Sequence, residues 1–235
     1  MDLFEAVLAG DDDAVMRALR SGTTAEHTDA EGMTALYLAA VENRPGAVRL
    51  LLAAGADPER ASGPDAADLP LCGAACGGHT EVVRSLLAAG ARPDLREGFG
   101  FTAMTWAVRL GHAATAEALL AAGADPSLPA PTGEPPLVLA ARRGSLPTVR
   151  ALLRHGAPAR REALTEARLW LTRDIADELR RQLVRTYGEE IETVVRRVTD
   201  EDGVTVVAEA RRDGETWATV DQQTAHAEIV TALEA

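Results

Sequence analysis

Residues 78–91 read GHTEVVRSLLAAGA, a short segment with a glycine near each end. Its apolar residues recur at helical spacing, so the segment predicts a helix with one buried face. Gly90 follows the last apolar pair, a position where glycine ends a helix because it adopts the left-handed conformation without strain. Gly78 marks the turn from an earlier helix. The segment is therefore predicted to be the second half of a helix-turn-helix unit.

This unit recurs along the chain. The closing glycine is found five times, at spacings of 33, 35, 33 and 33 residues: Gly22, Gly55, Gly90, Gly123 and Gly156. An alanine of the first helix keeps the same phase: Ala6, Ala39, Ala74, Ala107 and Ala140. Two helices of about ten residues cannot bury their apolar faces alone, so the units are expected to stack. Leu87 is expected to lie between stacked repeats.

The units resemble the ankyrin repeat. Residues 32–40 read GMTALYLAA, similar to the G-x-T-P-L-H-x-A-A opening of that family, and residues 78–91 resemble its second helix nearly residue for residue. The resemblance covers roughly residues 1–158 and implies a mainly α fold. This fold is an α-solenoid of about five repeats, with β-turn fingers on one edge and a concave groove beside them. The first repeat lacks a finger, as a capping repeat would. The family's motif histidine is replaced in every repeat, by Phe4, Tyr37, Cys72, Thr105 and Val138.

The repeat phase stops after Gly156. Residues 161–187 are predicted to be helical, with Thr172 as an N-cap and Gly188 as the end. This helix is expected to cover the apolar face of the fifth repeat. The predicted domains are therefore the solenoid at 1–158, a helical cap at 159–190 and a small α+β segment at 191–235.

Residues 191–235 change to a period of two, which is typical of strands. The β-branched runs at 191–198, 204–210 and 216–220 predict a three-stranded antiparallel meander. Its turns are expected at 199–203 and at Asp213-Gly214. A closing helix is predicted at 222–234, where residues 226–233 echo the second helix of a repeat. This segment resembles no family.

Charge excludes two classes of partner. Lys plus Arg is 24, all of it Arg, and Asp plus Glu is 36, so the formal net charge is −12. Residues 1–158 and 159–235 each carry −6, so neither part offers a basic surface. A nucleic-acid backbone or an anionic membrane is therefore not an expected partner. Two cysteines and the absence of a signal peptide or membrane-span pattern predict a cytoplasmic protein. The bias towards Ala, Gly and Arg is typical of a GC-rich bacterial genome.

Two motifs resemble sites for bound groups. Residues 98–103, GFGFTA, fit a dinucleotide fingerprint, but that motif follows a strand and here it lies on a finger. Cys72, Cys76 and His79 share one helical region, but a structural zinc site takes four ligands. No cofactor and no metal are therefore expected. Cys72 is expected in the core, and Cys76 at the groove, where its thiol is predicted to be reactive.

The family's groove positions predict a binding surface. Phe99 and Phe101 are the expected aromatic anchors, and three arginines are expected to contact acidic groups. The full set of predicted binding residues is Glu31, Met33, Val41, Glu42, Asp68, Cys76, Phe99, Phe101, Arg109, Leu110, Arg142 and Arg143.

Three functions remain open on the sequence. The family resemblance implies a binding protein that holds a partner in the groove, and that partner is another protein or an apolar small molecule. The alternative is a cofactor-free acid–base enzyme acting on an apolar, polyketide-like metabolite of natural product biosynthesis, by dehydration, isomerisation or cyclisation. Its catalytic candidates are Tyr37, Glu42, Asp68 and Arg109. The second alternative is an acidic inhibitor or immunity-type protein that uses its net charge against a basic partner.

Overall fold

The structure is a computed structural model that describes residues 1–200, 203–212 and 215–235. The predicted turn residues Glu201, Asp202, Asp213 and Gly214 lie outside the described residues. The chain divides into two compact units, Met1–Pro136 and Leu137–Ala235.

The first unit is a stack of helix pairs. Residues 1–136, all of them described, form eight helices in four pairs: α1 Leu3–Ala9 and α2 Asp12–Arg20, α3 Ala35–Val41 and α4 Pro45–Ala53, α5 Pro70–Cys76 and α6 Thr80–Ala88, α7 Ala103–Leu110 and α8 Ala113–Ala121. First helices pack on first helices and second helices on second helices along the chain. The first repeat begins directly at α1, whose N-cap Asp2 forms a capping box with Glu5. The predicted mainly α, solenoid-like fold is confirmed.

Small residues allow the first helices to approach one another. The alanines that share the repeat phase, Ala6, Ala39, Ala74 and Ala107, have no exposed surface. In α4, α6 and α8 the first leucine of the apolar pair is fully buried, at Leu51, Leu86 and Leu119. Leu87, predicted to lie between repeats, is only half-buried and lines a shallow cleft with Ala118 of the next repeat, so the fully packed position is that of its neighbour Leu86. The 100° turn between neighbouring helical residues separates the two side chains.

A histidine links the second helix of the third and of the fourth repeat to the repeat before it. His79 bonds through Nε2 to the Val41 carbonyl at 3.0 Å, and His112 makes the same 3.0 Å bond to the Cys76 carbonyl. A Cβ on Gly78 would lie only 2.6 Å from the His112 ring. The turn glycine at this phase of the repeat therefore makes room for the next repeat's histidine.

Hydrogen bonds also join the fingers, which are short hairpins between repeats. Gly63 donates its backbone N–H to the Gly32 carbonyl at 3.1 Å, and Gly98 donates to the Ala67 carbonyl at 2.8 Å. The fingers of the second, third and fourth repeats are thus connected through backbone groups.

The second unit begins with the helices of the fifth repeat, α9 Pro136–Arg143 and α10 Leu146–Arg154, followed by α11 Arg160–Leu171 and α12 Ile175–Tyr187. The single helix predicted at 161–187 is therefore two helices. Thr172 ends α11 instead of starting a helix, and its hydroxyl donates to the Leu169 carbonyl at 2.7 Å. Asp174 is the N-cap of α12 and accepts from the Asp177 backbone N–H at 3.1 Å, because its carboxylate is a stronger acceptor than a hydroxyl.

The predicted meander is confirmed as an antiparallel sheet of order β1-β2-β3, with strands Glu192–Asp200, Gly203–Arg212 and Glu215–Gln223. A register irregularity lies between Ala210 and Arg211. The sheet packs on α12. Helix α13, His226–Glu234, follows the sheet, inside the range predicted for the closing helix.

Candidate binding surface

The finger of the fourth repeat, residues 96–102, presents one aromatic side chain to solvent. The Gly100 N–H bonds to the Glu97 carbonyl at 2.8 Å, and the Glu97 N–H bonds to the Phe101 carbonyl at 3.0 Å. Gly100 has φ +79°, a left-handed conformation that favours glycine. This tight turn leaves Phe99 at the tip, with 71% of its surface exposed.

Phe101 is held against the next helix. Its ring lies 4.9 Å from that of Trp106, centroid to centroid, at a tilt of 40°. The guanidinium carbon of Arg109 lies 5.0 Å from the Phe101 ring centroid and 5.7 Å from that of Trp106. These three side chains form an aromatic platform at the base of the finger. Such a stack is stabilised by cation–π attraction, and it fixes the rings before any partner binds.

Glu97 ties the platform to a group of titratable side chains. Its carboxylate accepts from the Trp106 indole N–H at 2.9 Å. Burial raises the pKa of Glu97 and the Asp68 charge raises it further, while the Trp106 bond partly offsets both. The carboxyl group therefore holds its proton at a higher pH than an exposed glutamate does.

The neighbouring groups of repeats 2 and 3 are also shifted. Burial raises the pKa of Tyr37 to about 12, and the charges of Asp68 and Glu97 add to this. Burial, followed by Glu97, raises the pKa of Cys76, so its thiolate is disfavoured and the predicted reactivity gains no support. Cys72 is 1% exposed, as expected of a core residue. We call Tyr37, Asp68, Cys72, Cys76 and Glu97 the titratable cluster.

Close packing brings Tyr37 to the third repeat. A Cβ on Gly73 would lie 3.0 Å from Tyr37 Cε2 and 2.7 Å from Val41 Cγ1. Gly73 therefore provides the space that these two side chains occupy. Met33 is half-buried on the finger of the second repeat, where Asp29 Oδ1 accepts a hydrogen bond from its backbone N–H at 2.7 Å.

Other predicted binding residues lie outside this group. Glu31 is exposed on the finger of the second repeat, and Glu42 is exposed at the end of α3. Leu110 is 39% exposed at the end of α7. In the second unit, Arg142 Nε bonds to Glu166 Oε1 at 2.8 Å, and Arg143 donates to the Asp221 carbonyl at 2.6 Å and pairs with its carboxylate. Arg142 and Arg143 are thus already engaged by carboxylates of the second unit.

Glu97 and Trp106 were not among the residues predicted from the sequence. Trp106 has the repeat position of Leu38 and Leu139, which are buried, so phase alone assigns it to the core. Its size was the available signal, because a tryptophan rarely fits a position that leucine fills completely. Nothing in the local sequence distinguishes Glu97 from the other carboxylates.

Two clefts are lined by no member of the titratable cluster, and a third, much smaller one is lined by Cys72. A cleft of about 630 Å³ in the second unit is lined by Leu171, Thr172, Arg173, Asp174, Ile175, Ala176, Arg197, Val204, Val206 and Thr224. A shallower one of about 320 Å³, on the second-helix side of the first unit, includes Leu87 and Ala118. None of the predicted site residues lines either cleft.

Among residues 1–200, 203–212 and 215–235, no three His, Cys, Asp or Glu side chains are grouped as metal ligands. No helix in the described part of the chain is long and apolar enough to cross a membrane.

Comparisons with known proteins agree with the repeat pattern. The model for ankyrin repeats in three copies matches residues 59–130, and the model for a single ankyrin repeat matches residues 31–62 and 132–162. A comparison with curated proteins found no significant match. The matched segments cover more than half of the sequence, and the described helix pairs and fingers follow the same repeat. The chain belongs to the ankyrin-repeat family.

Proposed function

We propose that this chain is a binding protein that holds a protein partner against the finger of the fourth repeat and the aromatic platform. Ankyrin repeats generally mediate protein–protein interaction, and the coarse function follows from the family. The observation that carries the finer proposal is the exposure of Phe99 beside the aromatic platform, in which Arg109 and Trp106 already hold Phe101 in place.

The physical argument rests on the cost of ordering. A partner that covers Phe99 gains the burial of an aromatic side chain, a type that is enriched in protein–protein interfaces. Phe101 and Trp106 lose little freedom on binding because they are already stacked. Preorganised contacts of this kind raise affinity by lowering the entropic cost. The partner is expected to present an apolar side chain to Phe99.

Site-specific photo-crosslinking tests the proposal and captures the partner in the same step. Phe99 is replaced by benzoylphenylalanine, and the same replacement at Arg84, exposed on α6, serves as the control. We expect a crosslinked protein from lysate of the source cells with the probe at position 99 and none at position 84. The proposal is refuted if both positions, or neither, give that product.

The captured protein then allows affinity measurements. Phe99→Ala is expected to weaken binding by more than about 2 kcal/mol, as central aromatic anchors do, while Arg84→Ala leaves it unchanged. The salt dependence of the affinity distinguishes the inhibitor hypothesis from this proposal. Binding driven by the net charge of −12 weakens steeply as ionic strength rises. Binding that depends on Phe99 changes little between low and high salt.

The enzyme alternative is favoured by one observation, the raised pKa of Glu97 beside Asp68 and Tyr37. A carboxyl group with a raised pKa is suited to proton transfer near neutral pH. The clefts of about 630 Å³ and 320 Å³, however, do not include these residues. Glu97→Gln separates the two functions, because it removes the proton-transfer group and leaves the exposed Phe99 unchanged. Partner affinity equal to wild type supports the binding proposal.

A further inference from the structure

Helices α11 and α13 are 54 residues apart in sequence and adjacent in space. Arg160, at the start of α11, donates through Nε to the Leu233 carbonyl near the end of α13 at 2.8 Å. Trp170, near the end of α11, stacks on His226 at the start of α13, with centroids 5.6 Å apart and rings within 8° of parallel. The two helices therefore run in opposite directions side by side, as the helices of one repeat do.

His226 makes the contact that links one repeat to the next. Its Nε2 bonds to the Arg142 carbonyl at 3.2 Å. Arg142 holds the same repeat position as Cys76, whose carbonyl bonds to the His112 ring. The preceding turn glycine also faces this ring, because a Cβ on Gly144 would lie 2.8 Å from His226 Cε1, although the Gln223 carbonyl oxygen would be closer. His226 thus makes the same contact with the fifth repeat that His112 makes with the third repeat.

The packing agrees with this assignment. Helix α13 packs on both α10 and α11, and its buried Ile229 and Leu233 have the spacing of Val82 and Leu86 in α6. Helix α11 carries two fully buried alanines, Ala163 and Ala167. Buried alanines are also the feature that allows first helices to approach in the other repeats.

The residues between the two helices have a hydrophobic core of their own. The buried members of that core are Leu179, Leu183, Ile191, Val206, Ala208 and Ala210. The apolar residues packed against them lie between Ile175 and Val220, so the described members of the cluster come from α12, from the sheet and from Ile191 just before β1. A segment with its own core and with neighbouring ends meets the structural conditions for an inserted domain.

We propose that α11 and α13 are the two helices of a sixth ankyrin repeat, and that residues 172–225 are a guest module inserted into its turn. Only five residues connect α10 to α11, so this repeat lacks a finger and its phase is lost. The missing finger and the insertion explain why the repeat matches do not continue beyond residue 162. The guest carries an exposed aromatic pair of its own, Tyr187 and Trp217.

Hydrogen exchange measured by mass spectrometry on the full chain tests the inference. Leu183→Ala removes a fully buried side chain of the guest core. We expect amide exchange in α12 and the sheet to accelerate by about 30-fold or more, with α11 and α13 unchanged. The matched variant, His226→Ala, is expected to accelerate exchange in α11 and α13 and to leave the guest core protected. The inference is overturned if either variant accelerates both regions together.

Excision provides a second measurement. Leu171 is joined to His226 through Gly-Gly, which copies Gly77-Gly78 before His79 in the third repeat. The shortened protein is expected to unfold cooperatively, with protection of α11 and α13 within about threefold of the full chain. Exchange of these two helices at the rate of an unfolded chain would contradict the proposal, because a repeat does not need its guest. Binding at Phe99 is expected to survive the excision.

Discussion

Leu86 and Leu87 differ by one position in α6, and substituting each in turn tests the repeat register. Leu86 has no exposed surface, whereas Leu87 is half-buried beside Ala118. Leu86→Ala removes the side-chain atoms from a fully packed site and leaves a cavity, so the free energy of unfolding is expected to fall by about 2–5 kcal/mol. Leu87→Ala removes the same atoms from a position that already has water on one side. The expected loss is less than half as large, because the transfer term scales with buried apolar area.

Urea denaturation followed by circular dichroism measures both losses. With a slope of about 2–3 kcal/mol per molar urea, Leu86→Ala is expected to lower the midpoint by roughly 1–2 M. Since repeats are coupled mainly to their neighbours, the transition is also expected to broaden. An equal or larger loss for Leu87→Ala would refute the register, because it would make the second leucine of the pair, and not the first, the fully packed core residue.

Three further predictions concern single contacts. Gly78→Ala is expected to destabilise the chain by more than Gly55→Ala, in denaturation measurements, because both glycines have positive φ but only Gly78 faces a ring at 2.6 Å. The raised pKa of Glu97 means that the folded state holds its proton more tightly than the unfolded chain. Stability is therefore lost as pH rises through the raised pKa, and Glu97→Gln is expected to stabilise the protein at pH 7 but not below about pH 4. Asp174→Ala removes the N-cap of α12 and is expected to cost about 0.5–2 kcal/mol, whereas Thr172→Ala costs less in the same assay.

The repeats were readable from the sequence because helix periodicity, glycine stops and small alanines are local signals that recur in one phase. The break between α11 and α12 could not be predicted in this way. Threonine and aspartate are both residue types that favour an N-cap, so Thr172 and Asp174 were equal candidates, and the apolar stripe continues across the gap. Local preference could not decide which of them ends a helix. The sheet was predicted correctly because β-branched runs and turn residues also act locally.

The candidate surface was only partly predictable. Phe99 and Phe101 were visible as an unusual aromatic pair on one finger, but their separation into an exposed tip and a stacked base depends on Trp106 of the following helix. Glu97 gains its raised pKa from burial and from Asp68 of the preceding repeat. Arg142 and Arg143 are engaged by Glu166 and Asp221, far along the chain. Contacts of this range leave no periodic signal in a single sequence.

The backbone bonds between fingers, from Gly63 to Gly32 and from Gly98 to Ala67, have an evolutionary consequence. Because these bonds use main-chain groups, the distance between finger tips does not depend on which side chains the tips carry. A mutation at Phe99 can therefore change what the finger recognises while the neighbouring fingers keep their spacing. New specificities can arise one tip at a time, and a library randomised at position 99 would sample them on an unchanged scaffold.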